Sequence, residues 1–236
     1  MIRALIVDDE RLARAELRRL LAAHSKQVEV VGEAGNAEEA RRAVKTLAPG
    51  LLFLDVQMPG ASGFDLLSSL DSVPDVIFTT AYDAYALKAF EVNALHYLQK
   101  PIEAHRLADA IERAAGRASA RARVADASGE RIFIRDGARC WFVSLPEIML
   151  FESEGNYTRV YFGANRPLVL RSLNQLEERL RDRRFFRASR RQIVNLDCVE
   201  SALASESGGL ALRLSNGLLV EVSRRRAAEL REQMSL

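Results

Sequence analysis

From residue 2 to residue 118 the chain alternates between short apolar runs and longer stretches whose apolar positions have helical spacing. Residues 2–7 (IRALIV) form a continuous strand, and residues 10–23 then set Ala13, Leu17, Leu20 and Leu21 on one helical face. VEVVGE at 28–33 reads as strand. Asn36 caps a helix with Ala37, Ala40, Val44 and Leu47 on one side, and Pro49-Gly50 stops it. LLFLD at 51–55 is the next strand, followed by the Pro59-Gly60 loop and a short helix over 63–70. DVIFTT at 75–80 follows Pro74. Residues 84–91 read as helix, 95–98 as strand, and 103–118 as helix with Leu107, Ile111, Ala114 and Ala118 inward. Five such strand–helix units predict a parallel sheet covered by helices on both faces, an α/β fold.

Residues 119–130 (SARARVADASGE) are small and charged, without apolar period, and read as a linker between domains at 1–118 and 131–236. From 131 the texture changes to short runs rich in aromatic and β-branched residues: RIFIRD, CWFV, EIMLFES, YTRVYF, PLVLR, RQIVN, ALRLS and LLVEVS. Turn residues separate them, among them Asp136-Gly137, Gly163, Gly208-Gly209 and Asn216-Gly217. This pattern predicts an antiparallel, mostly β domain. Two helices interrupt it, one starting at Ser172 with Leu173, Leu176 and Leu180 inward, the other closing the chain over 224–234.

Four strands of the first half run into reactive polar residues: the first into Asp8-Asp9, the third into Asp55, the fourth into Thr80 and the fifth into Lys100-Pro101. Each alone has an ordinary reading as a helix cap, a β-former or a turn. In an open parallel sheet, however, the carboxyl ends of the strands share one edge, where ligands bind. Three carboxylates, a hydroxyl and an ammonium should therefore converge. Carboxylates brought together resist ionisation unless a cation neutralises them, and Mg²⁺ prefers such hard oxygens. A carboxylate can also attack phosphorus and form an aspartyl phosphate.

Composition adds an asymmetry. The chain is 48% hydrophobic and 28% charged, an ordinary globular balance. Behind the net charge of +2, residues 1–120 hold 14 Lys and Arg against 17 Asp and Glu, while residues 121–236 hold 20 against 15. All 20 cations of the second half are Arg, which suits bidentate phosphate and base contacts; general use of Arg in an Ala/Arg-rich chain would look the same. Cys140 and Cys198 make no disulfide framework and have no metal-ligand spacing. No charged-then-apolar leader precedes the first strand and no apolar run approaches membrane-spanning length, so a cytoplasmic protein without a membrane partner is expected.

With VDDE at 7–10, FLDVQMPGASG at 53–63, TTA at 79–81 and YLQKP at 97–101, residues 1–118 resemble the receiver domain of two-component response regulators. The resemblance implies a flavodoxin-like five-stranded parallel sheet of order 2-1-3-4-5. It makes Asp55 the phosphoacceptor, charged by a sensor histidine kinase. It gives Asp8, Asp9, Asp55 and the Gln57 backbone carbonyl to Mg²⁺, and Thr80 and Lys100 to the phosphoryl group. Tyr97 matches the switch aromatic, and the Lys100-Pro101 peptide is expected to be cis. Phosphorylation would draw Thr80 inward, let Tyr97 fill the space, and repack the face built from 84–91, 95–98 and 103–118. His96 stands where related receivers often carry Asp, which puts an acidic role there in doubt.

In the second half, IMLFESEGNYTRVY, RSLNQLEERL, FFRASRRQIVNL and VEVSRRRAAEL resemble the LytTR-type DNA-binding domain, whose members insert loops into successive DNA grooves. The resemblance implies three contact elements on double-stranded promoter DNA. They are Asn156, Tyr157, Thr158 and Arg159; then Ser189, Arg190 and Arg191; then Arg224 and Arg225. Arg187 is expected on a phosphate, and Phe185 and Phe186 in or near the core. Where relatives carry His-Arg-Ser, this chain has Ser189-Arg190-Arg191, so base preference at that loop is open. The combined expectation is a transcription regulator, not a metabolic enzyme, that forms a homodimer on phosphorylation. The rival from another class is a receiver whose β domain binds RNA or protein. An Asp-nucleophile phosphatase would need the acidic pair and nucleophile in another order.

Overall fold

The computed structural model of the chain describes all residues except 82–95, 124–129, 138, 182, 206–207 and 235–236. Contacts divide it into two units, Met1–Phe142 and Val143–Leu236.

The first unit is built on β1 (Ile2–Val7), β2 (Val28–Ala34), β3 (Leu51–Asp55), β4 (Asp75–Thr80) and β5 (His96–Gln99), all parallel and in the order β2-β1-β3-β4-β5. That is the expected order. The central strands β3 and β4 are buried along their whole length, as strands covered on both faces must be. One core packs α2 (Ala37–Leu47) and α3 (Gly63–Ser69) on the sheet, and the other packs α1 (Arg11–Ala22) and α4 (Ala104–Arg123). In α1 the buried positions are Leu17 and Leu21, and in α4 Leu107, Ala110, Ile111 and Ala114, one stripe each. Asn36 accepts a hydrogen bond from the Glu39 amide at 2.9 Å, the expected cap of α2. The helix expected over 84–91 lies outside the described residues.

Two boundaries differ from expectation. Helix α4 continues to Arg123, beyond the end expected at 118. Residues 119–123 (SARAR) lack an apolar stripe but are rich in Ala and Arg, strong helix formers that extend a helix already nucleated. The hairpin of β6 (Arg131–Asp136) and β7 (Arg139–Ser144) was expected to open the second domain, yet its residues up to Phe142 fall in the first unit, and the unit boundary lies inside β7. Phe133 stacks on Phe64 of α3 at 6.3 Å between centroids and meets Phe142 edge-on at 5.2 Å. Arg131 donates to buried Asp75 at 2.7 Å and lies over the Phe142 ring at 4.9 Å, while its carbonyl accepts the Val73 amide at 2.9 Å. Arg135 bonds Asp65 of α3 at 2.9 Å.

In the second unit, β8 (Ile148–Glu154), β9 (Tyr157–Phe162), β10 (Leu168–Val169), β11 (Phe185–Arg187) and β12 (Gln192–Asn195) form an antiparallel sheet of order β10-β9-β8-β12-β11. A second antiparallel sheet runs β13 (Val199–Ala204), β14 (Leu210–Leu214), β15 (Leu219–Val222). Helix α5 (Leu173–Arg179) starts at a capping box between Ser172 and Gln175 and buries Leu173 and Leu176. Helix α6 (Arg224–Met234) closes the chain and buries Ala227 and Leu230 against Leu212, Val220 and Phe186. Strands β11 and β13 were not foreseen. β11 is only three residues long, and the polar, small-residue stretch VESALA of β13 is exposed from Glu200 to Ala204. Among the described residues no helix is long and apolar enough to cross a membrane.

Candidate functional site

The register of the parallel sheet decides what meets at its carboxyl edge. Val7 pairs with Leu54, so Asp8 and Asp55 emerge side by side; Asp55 pairs with Thr79, and Thr80 with Gln99, which places Lys100 beside them. Lys100 Nζ reaches Asp8 Oδ2 and Asp55 Oδ2, both at 2.7 Å. The Lys100 amide donates to the Thr80 carbonyl at 2.8 Å, and the Lys100-Pro101 peptide is cis. Thr80 is buried and Tyr97 half-buried against the core that holds α3.

Carboxylate oxygens of Asp8, Asp9 and Asp55 lie within 4.8 Å of one another. Asp55 Oδ1 accepts the Gln57 amide at 3.1 Å, and Asp8 Oδ1 the Glu10 amide at 2.9 Å, so each buried carboxylate keeps one oxygen on the backbone and one on Lys100. Burial pushes the Asp55 carboxyl above its ordinary pKa; the Lys100 ammonium and the Gln57 amide oppose this, and Asp8 adds to it. Burial would lower Lys100, but its bonds to Asp55 and Asp8 outweigh that and leave it raised. Three carboxylates held together against a single ammonium form a hard-oxygen donor set short of positive charge, the chemistry a divalent cation fits. Gly63 opens α3 at the same edge. A Cβ there would stand 2.4 Å from the Asp55 carbonyl oxygen, so only glycine lets the helix start that close to the acidic site.

Arg14 belongs to this site and was missed in the sequence. Its Nη1 donates to the Asp8 carbonyl at 2.6 Å and the Asp9 carbonyl at 3.3 Å, and its Nε to Glu33 at 3.2 Å. Arg18, then Arg14, holds the Glu33 carboxyl below the usual carboxylate range. The readable signal was an arginine three residues before Leu17, on the inward stripe of α1.

In the second unit two of the three expected contact stretches, 156–159 and 189–191, adjoin the neighbouring strands β8 and β12 of the five-stranded sheet, and the third opens the last helix. β8 and β9 are joined by the two-residue turn Gly155-Asn156, with Gly155 at a φ of 62°, which the left-handed region allows glycine without strain. Asn156 and Tyr157 are exposed there. The Ser153 amide donates to the Arg191 carbonyl at 2.8 Å, so the 188–191 loop lies beside that turn. Arg190 and Arg191 are exposed, and Ser189 Oγ accepts the Arg191 amide at 3.2 Å. Arg224 and Arg225 are exposed in the first turn of α6. Three expected contacts are placed otherwise. Thr158 is buried, its hydroxyl donating to the Arg171 carbonyl at 2.6 Å. Arg159 donates to both oxygens of Glu154, at 2.7 and 2.8 Å, which raises its pKa. Arg187 turns inward, onto the Ser189 and Arg190 carbonyls and Glu177. Phe186 is buried and Phe185 half-buried, packing on Phe151 at 5.7 Å, as expected.

Comparison with known proteins identifies a family for each part of the chain. A family model of the response regulator receiver domain matches residues 4–112, and one of the LytTr DNA-binding domain matches residues 138–235. An uncharacterized response regulatory protein of Vibrio cholerae is 37% identical over 99% of both chains. The transcriptional regulatory protein BtsR of Escherichia coli is 36% identical over the full length of both, and the sensory transduction protein LytT of Enterococcus faecalis 35% over 98% of both. Among solved structures, a LytTr DNA-binding domain from Bacillus cereus covers 45% of this chain and 97% of its own at 22% identity, with a TM-score of 0.42. A receiver domain of AraT from Geobacillus stearothermophilus covers 51% and 98% at 28% identity, with a TM-score of 0.46. The chain therefore belongs to the response regulators that join a receiver domain to a LytTR DNA-binding domain. Its architecture is that of a transcription regulator rather than a metabolic enzyme.

Proposed function

We propose that a sensor histidine kinase donates a phosphoryl group to Asp55, and that the charged chain dimerises and binds double-stranded promoter DNA. The observation that carries the reading is Lys100, held at 2.7 Å from both Asp8 and Asp55 on the carboxyl edge of the sheet. An Asp55 oxygen attacks phosphorus, the bond from phosphorus to the donor breaks, and the donor leaves with that electron pair. Asp8, Asp9, Asp55 and the Gln57 carbonyl would hold Mg²⁺, which when bound supplies charge neutralisation and a Lewis acid for the phosphoryl oxygens. Lys100 then turns from the Asp55 carboxylate to a phosphoryl oxygen, and the Thr80 hydroxyl donates to another. Phosphorylation adds roughly −1.5 to −2 charge, and Tyr97 moves into the space that Thr80 leaves. A bias of about 1–3 kcal/mol is enough to shift dimerisation roughly five- to 150-fold. Chelation with EDTA should abolish labelling by acetyl phosphate and leave binding of the unphosphorylated chain to DNA unchanged. Labelling that survives chelation would remove the metal from the scheme.

Asn156, Tyr157, Ser189, Arg190, Arg191, Arg224 and Arg225 are the proposed DNA contacts, with Thr158 and Arg159 fixing the first turn. Arg190→Ala should weaken specific binding by about 1–3 kcal/mol and non-specific binding less. Equal loss on specific and scrambled duplexes, measured by titration at fixed salt, would make Arg190 a phosphate contact only. Salt dependence separates this reading from a protein-binding β domain. DNA binding should fall by roughly 0.9 log unit per log unit of salt for each phosphate neutralised, and a protein partner should give a shallower slope.

A further inference from the structure

Arg187 stands at the start of the loop that carries Ser189, Arg190 and Arg191, yet its own side chain is only 10% exposed. Its Nε donates to the Ser189 carbonyl at 2.7 Å and its Nη2 to the Arg190 carbonyl at 2.8 Å. Nη1 faces Glu177 Oε2 of α5 at 3.3 Å. The guanidinium fork is thus occupied by two successive loop carbonyls and a carboxylate behind them, and its planar geometry suits that grip. Glu177 also faces α6: its Oε1 lies 3.7 Å from Arg226 Nη2, and Arg226 Nη1 donates to Glu229 at 2.6 Å. One carboxylate therefore sits between the base of the 188–191 loop and the helix turn that presents Arg224 and Arg225.

We infer that Arg187 and Glu177 are positioning residues that brace the 188–191 loop and lock it to the start of α6, and that neither touches DNA. The inference deepens the DNA-binding reading and rests on it. The brace acts through two backbone carbonyls, so it sets the direction of the Ser189, Arg190 and Arg191 side chains rather than the charge of the face. Reading base edges requires those directions to be held before DNA arrives, because ordering a loop on binding subtracts from specific affinity. Attraction to the phosphate backbone requires only charge. The brace should therefore govern specificity and leave non-specific binding alone.

Three variants of the full-length chain test this: Arg187→Lys, which keeps the charge and loses the fork; Glu177→Gln, which keeps the size and loses the carboxylate; and Arg187→Ala. Each is titrated with the duplex that the wild-type chain enriches from a random pool and with a scrambled duplex, over a range of salt. Arg187→Lys and Glu177→Gln should each lose about tenfold on the enriched duplex and stay within about twofold on the scrambled one. Glu177→Gln reads the sign directly. Removing a carboxylate beside a DNA-binding face strengthens both duplexes by charge alone, whereas loss of the brace weakens the enriched one. A phosphate contact would behave otherwise: Arg187→Lys would bind like wild type, and Arg187→Ala would lower the salt slope by about 0.9. Either outcome overturns the brace. In the DNA-free chain, exchange of the Arg191 amide, bonded to Ser189 Oγ at 3.2 Å, should speed up in all three variants. Unchanged exchange also overturns it. If the wild-type chain enriches no duplex, the DNA-binding reading fails, and the exchange measurement alone decides the brace.

Discussion

Asp55→Asn should take no label from acetyl phosphate and Mg²⁺, while the wild-type chain is labelled once per molecule. Asparagine keeps the shape of the side chain, and its amide oxygen can still accept the Gln57 amide that Asp55 Oδ1 accepts at 3.1 Å. What it lacks is a carboxylate oxygen able to attack phosphorus while acetate leaves. The loss should be complete rather than partial, because the carboxylates of Asp8 and Asp9, the proposed metal ligands, are untouched and Asp8 is paired to Lys100 at 2.7 Å. The variant should fold, since burial disfavours the Asp55 charge that the substitution removes. Label surviving in Asp55→Asn, located by peptide mapping, would move the acceptor elsewhere.

Phe133→Ala should cost about 3–5 kcal/mol in the stability of the first unit, the range for removing a buried aromatic ring. Phe133 is 7% exposed and lies between Phe64, which itself meets Phe78 of β4 at 5.2 Å, and Phe142. Its loss opens the contact between the hairpin and α3. Arg131→Met should act in the same direction for a different reason: it removes the guanidinium that Asp75, with a side chain 6% exposed, meets at 2.7 Å, closer than Arg117 at 3.5 Å. Breaking a buried pair by removing one member costs about 3–5 kcal/mol, because the other charge stays buried. Denaturant unfolding of a fragment spanning residues 1–144 measures both. A change under about 1 kcal/mol for Phe133→Ala would mean that the hairpin does not rest on α3.

The acidic site was legible because it depends on strand ends. A strand whose register is set by its apolar run delivers the next residue to the sheet edge, so Asp8, Asp55, Thr80 and Lys100 could be placed together from their positions after four runs. The hairpin was legible as strands but not in its docking. RIFIRD and CWFV have the texture of the β half that follows, and nothing in their pattern names Phe64 and Asp75 as partners. The exposed loops proposed to contact DNA were legible in position through their turn residues. The direction of individual side chains was not: Thr158 points to the Arg171 carbonyl and Arg187 to the loop behind it, outcomes that depend on pairings between β8, β9 and β12. Arg14 was hidden by composition. In a helix with three other arginines, one that reaches the Asp8 carbonyl stands out only by its place on the apolar stripe.

Both halves of the proposed function meet in one measurement: enrichment of duplexes from a random pool by the full-length chain, with and without beryllofluoride and Mg²⁺. The predicted result is one paired motif, enriched more strongly when the phosphoryl mimic is present. No enrichment in either state would contradict the proposal that this chain binds promoter DNA, and equal enrichment in both would contradict control of that binding through Asp55.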